Sequence, residues 1–558
     1  MIAVLVVLVG MIEAINGATA MAWNEPAYSK DYPEVRWLPR KSEVSMTLSG
    51  GGIRAYLSGI GALSALDTLG LTGKIKYLST VSGGSWANAA YSYGNGSLGS
   101  IIPPEALTMN RLETENGTSL RTLPVKRCLE DEILSMVYQH KMNFEYVWGA
   151  AIWKVFLEPN GIELKAQTAI SNSHVRKAKQ RNSWLRNTTF FLYNKNKPFP
   201  IINAAVLGPV NCAPFESSKI EYTPIEFCPT YAGSPQFHII KYHHCGNATV
   251  SIPVGGFVET FVFNGAAIKN QSFGGLAPGQ SSKLLHDVPQ PINQFGIVSQ
   301  TAASSWAPGA LLASSGWWKW LSKLLGRKVE YWSPIQVRPT SIFLADGGSI
   351  ENSGLLNLLR RGCKEIIVFV DSLVPLKPNS EYKPFQRSPT DNDVDVDLAV
   401  LFGMMSESAN KSVANLVNDQ IFPRFRFNEL IVEMQRKQGQ GGGIVVRQPL
   451  QTIENSFWGI PAGRKVVVTW VYLSRCPLWE KSLPLDTQKL VIPEVDASNP
   501  SKLRQRGMFA SFPHYSTQKL RYTYEQANLL TNMAGWVVLR HASLFQLAFG
   551  TSNIESEV

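Results

Sequence analysis

Two strand–glycine–helix units follow one another between Val44 and Tyr93, and no other feature of the chain restricts its fold as much. Val44 to Leu48 has the character of a short strand, Ser49-Gly50-Gly51-Gly52 that of a loop, and Ile53 to Leu71 that of a helix with Ile60, Leu63, Leu66 and Leu69 on one face. Lys76 to Val81 then reads as a second strand, Ser82-Gly83-Gly84 as its turn, and Trp86 onward as a second helix. Strands joined through helices lie parallel and need helices over the sheet. The predicted class is α/β, with a central, mostly parallel sheet flanked by helices and ligands gathered at the carboxyl ends of the strands. A third strand, Ser341 to Ala345, ends in Asp346-Gly347-Gly348 and leads to an apolar helix from Leu355 to Leu359 and the buried-looking strand Glu365 to Val370.

The three loops together hold the parts of a nucleophilic site. A serine hydroxyl is a weak nucleophile that needs a base to take its proton and donors aimed at the oxyanion it creates. Ser82 sits where a strand turns into a helix, the Gly51 and Gly52 N–H groups can donate to an oxyanion, and Asp346 can accept the serine proton. Glycine lets a substrate carbonyl approach the backbone closely. One glycine turn after a strand is usually a plain connection; three in this order, each at a strand end, point to chemistry.

These segments resemble the cytosolic phospholipase A2, fungal lysophospholipase and patatin-like group of lipid acyl hydrolases. "SGGGIRA" (Ser49 to Ala55) resembles the group's oxyanion and arginine motif, "TVSGGSW" (Thr80 to Trp86) its nucleophile elbow, and "DGGSIENSGLLNLLRRG" (Asp346 to Gly362) its aspartate motif. "FPIINAAV" (Phe199 to Val206) and "IEYTPIEF" (Ile220 to Phe227) resemble segments between nucleophile and aspartate, so the likeness runs from Ser45 to about Ser372.

The resemblance implies a patatin-like or cytosolic phospholipase-like fold with lid and insertion segments. It makes Ser82 the nucleophile, Asp346 the base, Gly51 and Gly52 the oxyanion donors and Arg54 the partner of a substrate phosphate. The implied reaction is cleavage of fatty acyl esters of glycerophospholipids or lysophospholipids through an acyl-serine, with no cofactor and no metal. The N-terminus leaves no room for the calcium-binding domain of some animal relatives, so calcium dependence is not expected. Thr80 departs from the pattern: it stands at the first glycine of the G-x-S-x-G elbow and predicts a slightly wider turn. Competing readings are a lipid-surface binding protein of the same fold without turnover, and an acyltransferase or neutral lipase. A Ser-Asp-His hydrolase would need His514 or His541, neither of which has a recognisable loop around it.

The formal net charge of +11 and pI near 9.2 favour anionic partners. No Lys/Arg run, zinc-finger or RNP pattern accompanies them, so the expected partner is a phospholipid membrane or micelle surface and not nucleic acid; a basic surface without a specific partner is the alternative. Gly316 to Lys328, "GWWKWLSKLLGRK", suits either an interfacial helix or a lid packed on the protein. Asp391 to Asp397 fails the calcium-loop pattern, with Val396 sixth and Phe402 twelfth, and reads as a solvated acidic loop. His238, His243, His244 and Cys245 match no standard metal spacing, and Gly441-Gly442-Gly443 lacks the residues of a phosphate loop.

The apolar run Ile2 to Ile12 with Ala18-Thr19-Ala20 marks residues 1–20 as a signal peptide or apolar N-terminal segment. That predicts secretion or an endomembrane lumen, peripheral at membranes, with a membrane-associated cytoplasmic protein as alternative. Six sequons (Asn95, Asn116, Asn187, Asn247, Asn270, Asn410) permit glycosylation. Of six cysteines, Cys212, Cys228 and Cys245 are close enough for one bridge, and Cys128, Cys363 and Cys476 are isolated. Residues 40–558 are expected to form a single domain. Its insertions, about 100–340, would lie on the sheet, and its C-terminal part, only loosely similar, would carry the strand "KVVVTWVYL" and a helix from Tyr524 to Leu544.

Overall fold

The computed structural model describes residues 17–550 except 40–41, 114–118, 143, 214, 216–220, 246–247, 266–284, 292, 307–326, 337, 406–413, 493–494, 497–498 and 504–506. Its framework is a 13-stranded sheet. In chain order the strands are β1 (Ala18–Trp23), β2 (Val44–Leu48), β3 (Tyr77–Val81), β4 (Phe199–Pro209), β5 (Thr223–Phe227), β6 (Tyr231–Cys245), β7 (Ala248–Glu259), β8 (Leu285–Val288), β9 (Arg327–Tyr331), β10 (Thr340–Asp346), β11 (Glu365–Val370), β12 (Ile444–Gln451) and β13 (Lys465–Tyr472). Across the sheet they run β8-β1-β7-β6-β5-β4-β3-β2-β11-β13-β12, with β10 added to β4 and β9 to β10.

The centre, β4-β3-β2-β11-β13, is parallel. Every residue of β2, β3 and β4 is buried, as expected of strands covered on both faces. The remaining pairs are antiparallel, so the whole is a mixed sheet. The segment expected to lie on the sheet instead extends it, for β4 to β9 all fall within residues 199–331. β4 to β7 lie side by side in chain order as an antiparallel wing, β8 joins it through β1, and β9 pairs with β10.

The helices that position the site are α1 (Gly52–Thr68), α2 (Gly83–Tyr93), α3 (Phe144–Ile152), α4 (Ile297–Ser304), α5 (Leu355–Arg360) and α6 (Tyr524–Arg540). α1 is buried on every side from Gly52 to Leu66, because α6 covers the face turned away from the sheet. A Cβ at Gly61 would stand 2.2 Å from the Thr531 carbonyl oxygen, so this glycine permits the close crossing. α6 begins at a Thr523/Gln526 capping box and stops at Arg540, earlier than the predicted Leu544. The C-terminal part, least similar to the resembled group, thus completes the core around the site.

Residues 17–39 belong to the same body. Ala18, Ala20 and Ala22 of β1 are wholly buried, and Glu34 pairs with Arg361 at 3.0 Å in a buried cluster that includes Glu226 and the Tyr231 hydroxyl. Cys212 and Cys245 form a disulfide, whereas Cys228 is a buried free thiol. Asn95 and Asn187 are exposed. The other four sequons and most of the Gly316 to Lys328 segment lie outside the described residues. Among the described residues no helix is long and apolar enough to cross a membrane.

Candidate active site

Ser82 and Asp346 are 264 positions apart in sequence and meet because two strands end on consecutive rungs of β4. β3 pairs in parallel with Phe199 to Asn203, and β10 pairs antiparallel with Ala204 to Pro209. β5 overlaps both stretches on the opposite edge of β4. β3 and β10 therefore approach along one edge from opposite directions, and their carboxyl ends abut at Asn203 and Ala204. The third strand–glycine unit of the sequence thus runs against the other two, yet still delivers its aspartate to the same point.

The Ser82 hydroxyl donates to Asp346 Oδ2 at 3.0 Å, and the Gly348 N–H donates to Oδ1 at 2.8 Å. Burial pushes the Asp346 carboxyl up to about 7, against the lowering effect of these two hydrogen bonds. A base near neutrality is suited to accept a proton and return it.

Ser82 holds φ 50° and ψ −121° at the head of α2, a conformation that side chains other than hydrogen rarely adopt. Such backbone costs about 1–3 kcal/mol and persists only where its surroundings over-determine it. Those surroundings are visible. The Ser82 N–H donates to the carbonyl and hydroxyl oxygens of Ser304, at 3.2 and 3.0 Å. The Ser304 hydroxyl donates to the Asn203 carbonyl at 2.6 Å and lies 2.9 Å from Ser85 Oγ. Thr80 joins the same network, 3.1 Å from Ser85 Oγ and accepting from Asn88 Nδ2 at 3.0 Å. A buried hydroxyl with partners thus occupies the position where a glycine was expected. Tightness comes from Gly83 and Gly84, whose Cβ atoms would lie 2.0 Å from the Gly52 oxygen and 2.6 Å from the Leu48 oxygen.

Gly51 (φ 141°) and Gly52 (φ 62°) open α1. The first N–H groups of a helix have no intrahelical acceptor, and theirs find none among the described residues. Gly51 lines the cavity that Ser82 and Asp346 share; Gly52 lies behind it, against the Thr517 carbonyl. The Gly50 N–H is taken by the backbone and side-chain oxygens of Asn352, both at 3.1 Å.

Arg54 also reaches the cavity, but its guanidinium is partly engaged. Nε donates to the Asp371 carbonyl at 3.0 Å, Nη1 to the Tyr515 carbonyl, and Nη2 to Thr517 Oγ1 at 3.5 Å. Nη2 stands over the open face of Gly51, 2.6 Å from where a Cβ would be.

The cavity measures about 580 Å3. Its far wall corrects one expectation: within Asp391 to Asp397 only Asp391 and Asn392 are exposed, and the segment from Asp393 to Asp395 is not solvated. Asp393 and Asp395 are buried, and Asp391, Asp395 and Asp397 face the cavity along with Asp371. Asn352 joins this wall to the glycine loop, accepting from Gly50 and donating to Asp397 at 2.6 Å. Arg387 holds Asp393 down at about 2, whereas burial pushes Asp371 up to about 7. Val394, 1% exposed, carries the loop inward.

Among the described residues no group of His, Cys, Asp or Glu is placed to hold a metal. His238 packs at a tilt against Phe457, and Cys245 is in the disulfide. Neither candidate triad histidine lines the cavity. His514 Nδ1 lies 3.0 Å from the Ser372 carbonyl, with burial pulling its pKa to about 4, and His541 Nδ1 lies 2.9 Å from the Val537 carbonyl at the end of α6. Ser304, Asn203 and Asn352 went unnoticed in the sequence. Asn203 had left a trace, as a polar residue inside an apolar strand, and Asn352 lay within the aspartate motif; nothing marked Ser304.

No protein-family model matches the chain, and no curated protein does. Among solved structures it is similar to human GIVD cytosolic phospholipase A2, with 14% identity, a TM-score of 0.41, and coverage of 94% of this chain and 65% of that one. The same human protein in complex with methyl gamma-linolenyl fluorophosphonate gives 15% identity, a TM-score of 0.39 and coverage of 94% and 62%. With that inhibitor and terbium chloride the values are 15%, 0.39, 96% and 66%. The chain therefore spans somewhat under two thirds of the first two human chains.

Proposed function

We propose that this protein is a serine–aspartate lipid acyl hydrolase that releases fatty acid from glycerophospholipids or lysophospholipids. The observation that carries this reading is the 3.0 Å hydrogen bond from Ser82, on a strained strand-to-helix turn, to a buried carboxylate. Ionised Asp346 takes the Ser82 proton as Oγ attacks the ester carbonyl. The Gly51 and Gly52 N–H groups, at the positive end of α1, receive the oxyanion. Asp346 then returns the proton to the leaving alcohol, and a water activated by the same carboxylate frees the fatty acid from acyl-Ser82.

Arg54 is the cation for a substrate phosphate, through the guanidinium N–H groups its protein partners leave over; a phosphate accepts such bonds well. The basic surface draws the protein to anionic lipid. The Cys212–Cys245 bridge supports secretion or an endomembrane lumen, where disulfides persist. A fluorophosphonate probe followed by peptide mapping tests the chemistry: a covalent adduct on Ser82, absent from Asp346→Asn, supports the reading, and a folded protein that takes no adduct refutes it.

A further inference from the structure

The cavity above Ser82 carries more negative charge than ester cleavage calls for. Beyond Asp346 its wall holds Asp371, Asp391, Asp395 and Asp397, and among the described residues Arg54 is its one basic side chain. The chain as a whole is the reverse, with a formal net charge of +11. A membrane surface and a substrate in the cavity therefore meet opposite fields.

Most of this wall lacks a counter-charge. Arg387 pairs with Asp393, which does not line the cavity, whereas Asp371, Asp395 and Asp397 form no ion pair among the described residues. Their hydrogen bonds come from neutral donors: the Ser58 hydroxyl to Asp371, the Asp397 N–H to Asp395 at 2.9 Å, and the Asn352 amide to Asp397 at 2.6 Å. Arg54 meets Asp371 at its main-chain carbonyl, not at the carboxylate. Asp371 is 5% exposed and its Oδ2 has no hydrogen-bond partner among the described residues; a charge so placed acts on the cavity through its field, which needs no contact. Contact falls to Asp391, which is exposed, and to half-buried Asp397. Burial pushes Asp371 up to about 7, and burial with Asp395 alongside pushes Asp397 well above the usual carboxylate range. A cation in the cavity would favour the ionised form of both.

Among the described residues no three of these carboxylates converge on a metal position, whereas an alkylammonium ion needs no fixed set of ligands. Val374, Val396 and Leu401 share the wall with the aspartates and offer apolar surface to N-methyl groups. We propose that this wall is a head-group subsite that selects glycerophospholipids or lysophospholipids whose phosphate carries choline over those with an anionic or uncharged alcohol. The phosphate lies at Arg54 and the ammonium beside Asp391 and Asp397, with Asp371 and Asp395 behind them. Placing the ester at Ser82 rests on the proposed hydrolysis; the preference for a cation does not. Membrane binding and substrate choice are then set separately: the basic surface favours anionic membranes, and the cavity favours the zwitterionic lipid within them.

The test is calorimetric titration of full-length protein with dodecylphosphocholine and with dodecylphosphoglycerol, each below its micelle concentration. Neither has a carboxylic ester, so affinity is read without turnover. Wild type should bind the choline compound about tenfold more tightly, and that compound should slow labelling of Ser82 by a fluorophosphonate. Asp391→Lys, at an exposed position, should reverse the preference, and Asp395→Asn should shrink it about threefold. Each effect is a ratio of two ligands on one protein, so a general loss of affinity cancels, and urea midpoints check folding. No binding of either compound, equal or tighter binding of the glycerol compound, or a ratio indifferent to both substitutions would overturn the proposal. A choline preference that leaves Ser82 labelling unslowed would place the subsite outside the catalytic cavity and overturn it too. Failure of Ser82 to label at all, or to release fatty acid, would count against the hydrolase alone, and the ratios would still decide the subsite.

Discussion

Replacing Ser82 by glycine should inactivate the protein and make it more stable than replacing it by alanine. Both substitutions remove Oγ and its bond to Asp346, so they differ mainly in Cβ. Alanine keeps the strain of φ 50° and ψ −121°, whereas glycine adopts these angles freely. Relief of about 1–3 kcal/mol is expected from the backbone, offset by about 0.4–1 kcal/mol for the greater freedom of unfolded glycine. The net is roughly 1–2 kcal/mol in favour of Ser82→Gly. At about 2.1 cal/mol/K of unfolding entropy per residue, a chain of 558 residues converts this to a melting shift of only about 1–2 °C. Paired urea titrations are therefore the better assay. An unstrained helix N-cap also prefers glycine to alanine, by about 1 kcal/mol, so the strain at Ser82 adds to a difference of the same sign. Equal midpoints, or a more stable alanine variant, would refute the claim that Ser82 is held under strain.

Because Asp346 must be ionised to act, kcat/KM on a soluble acyl ester should rise through pH 7 and fall about tenfold per pH unit well below it; a profile flat from pH 5 to 8 would exclude Asp346 as the base. Asp371 is also raised to about 7 by burial, and its unfolded value is about 3.9, so its contribution to stability is full below that lower value and is lost as pH rises to the folded one. The stability of Asp371→Asn relative to wild type should accordingly increase between about pH 4 and 7, as read from urea midpoints. Ser304→Ala removes the hydroxyl that holds the Ser82 N–H but leaves the Ser304 carbonyl bond. It should lower kcat about tenfold, the equivalent of one hydrogen bond's worth of positioning, with little change in KM.

The sequence announced those parts of the site that depend on local backbone chemistry. Glycine at 52, 83 and 84 marks places where backbone segments approach so closely that no side chain fits, glycine at 51 one where φ is 141°, and Asp346-Gly347-Gly348 marks a strand end. The parallel centre was legible for the same reason, since each parallel crossover leaves a helical pattern behind it. The antiparallel wing was not, because β5 to β7 follow one another through short turns with no helical pattern between them and differ little in pattern from decorated loops. Ser304 was invisible because its role depends on where α4 lands against β4, a tertiary fact with no local signature. The acidic loop misled in the opposite direction: its aspartates suggested water, but Asn352 and Arg387 donate to the Asp397 and Asp393 carboxylates, and the Tyr472 hydroxyl accepts from the Asp395 N–H.

The central claim, that Ser82 and Asp346 together cleave fatty acyl esters of phospholipids, is tested most directly by fatty acid release from labelled phosphatidylcholine and its lyso form. Wild-type protein should release labelled fatty acid from at least one of them, and release should vanish in Ser82→Ala and Asp346→Asn variants whose circular dichroism is unchanged. Wild-type rates from folded Ser82→Ala protein, or no release from either lipid by the wild type, would contradict it.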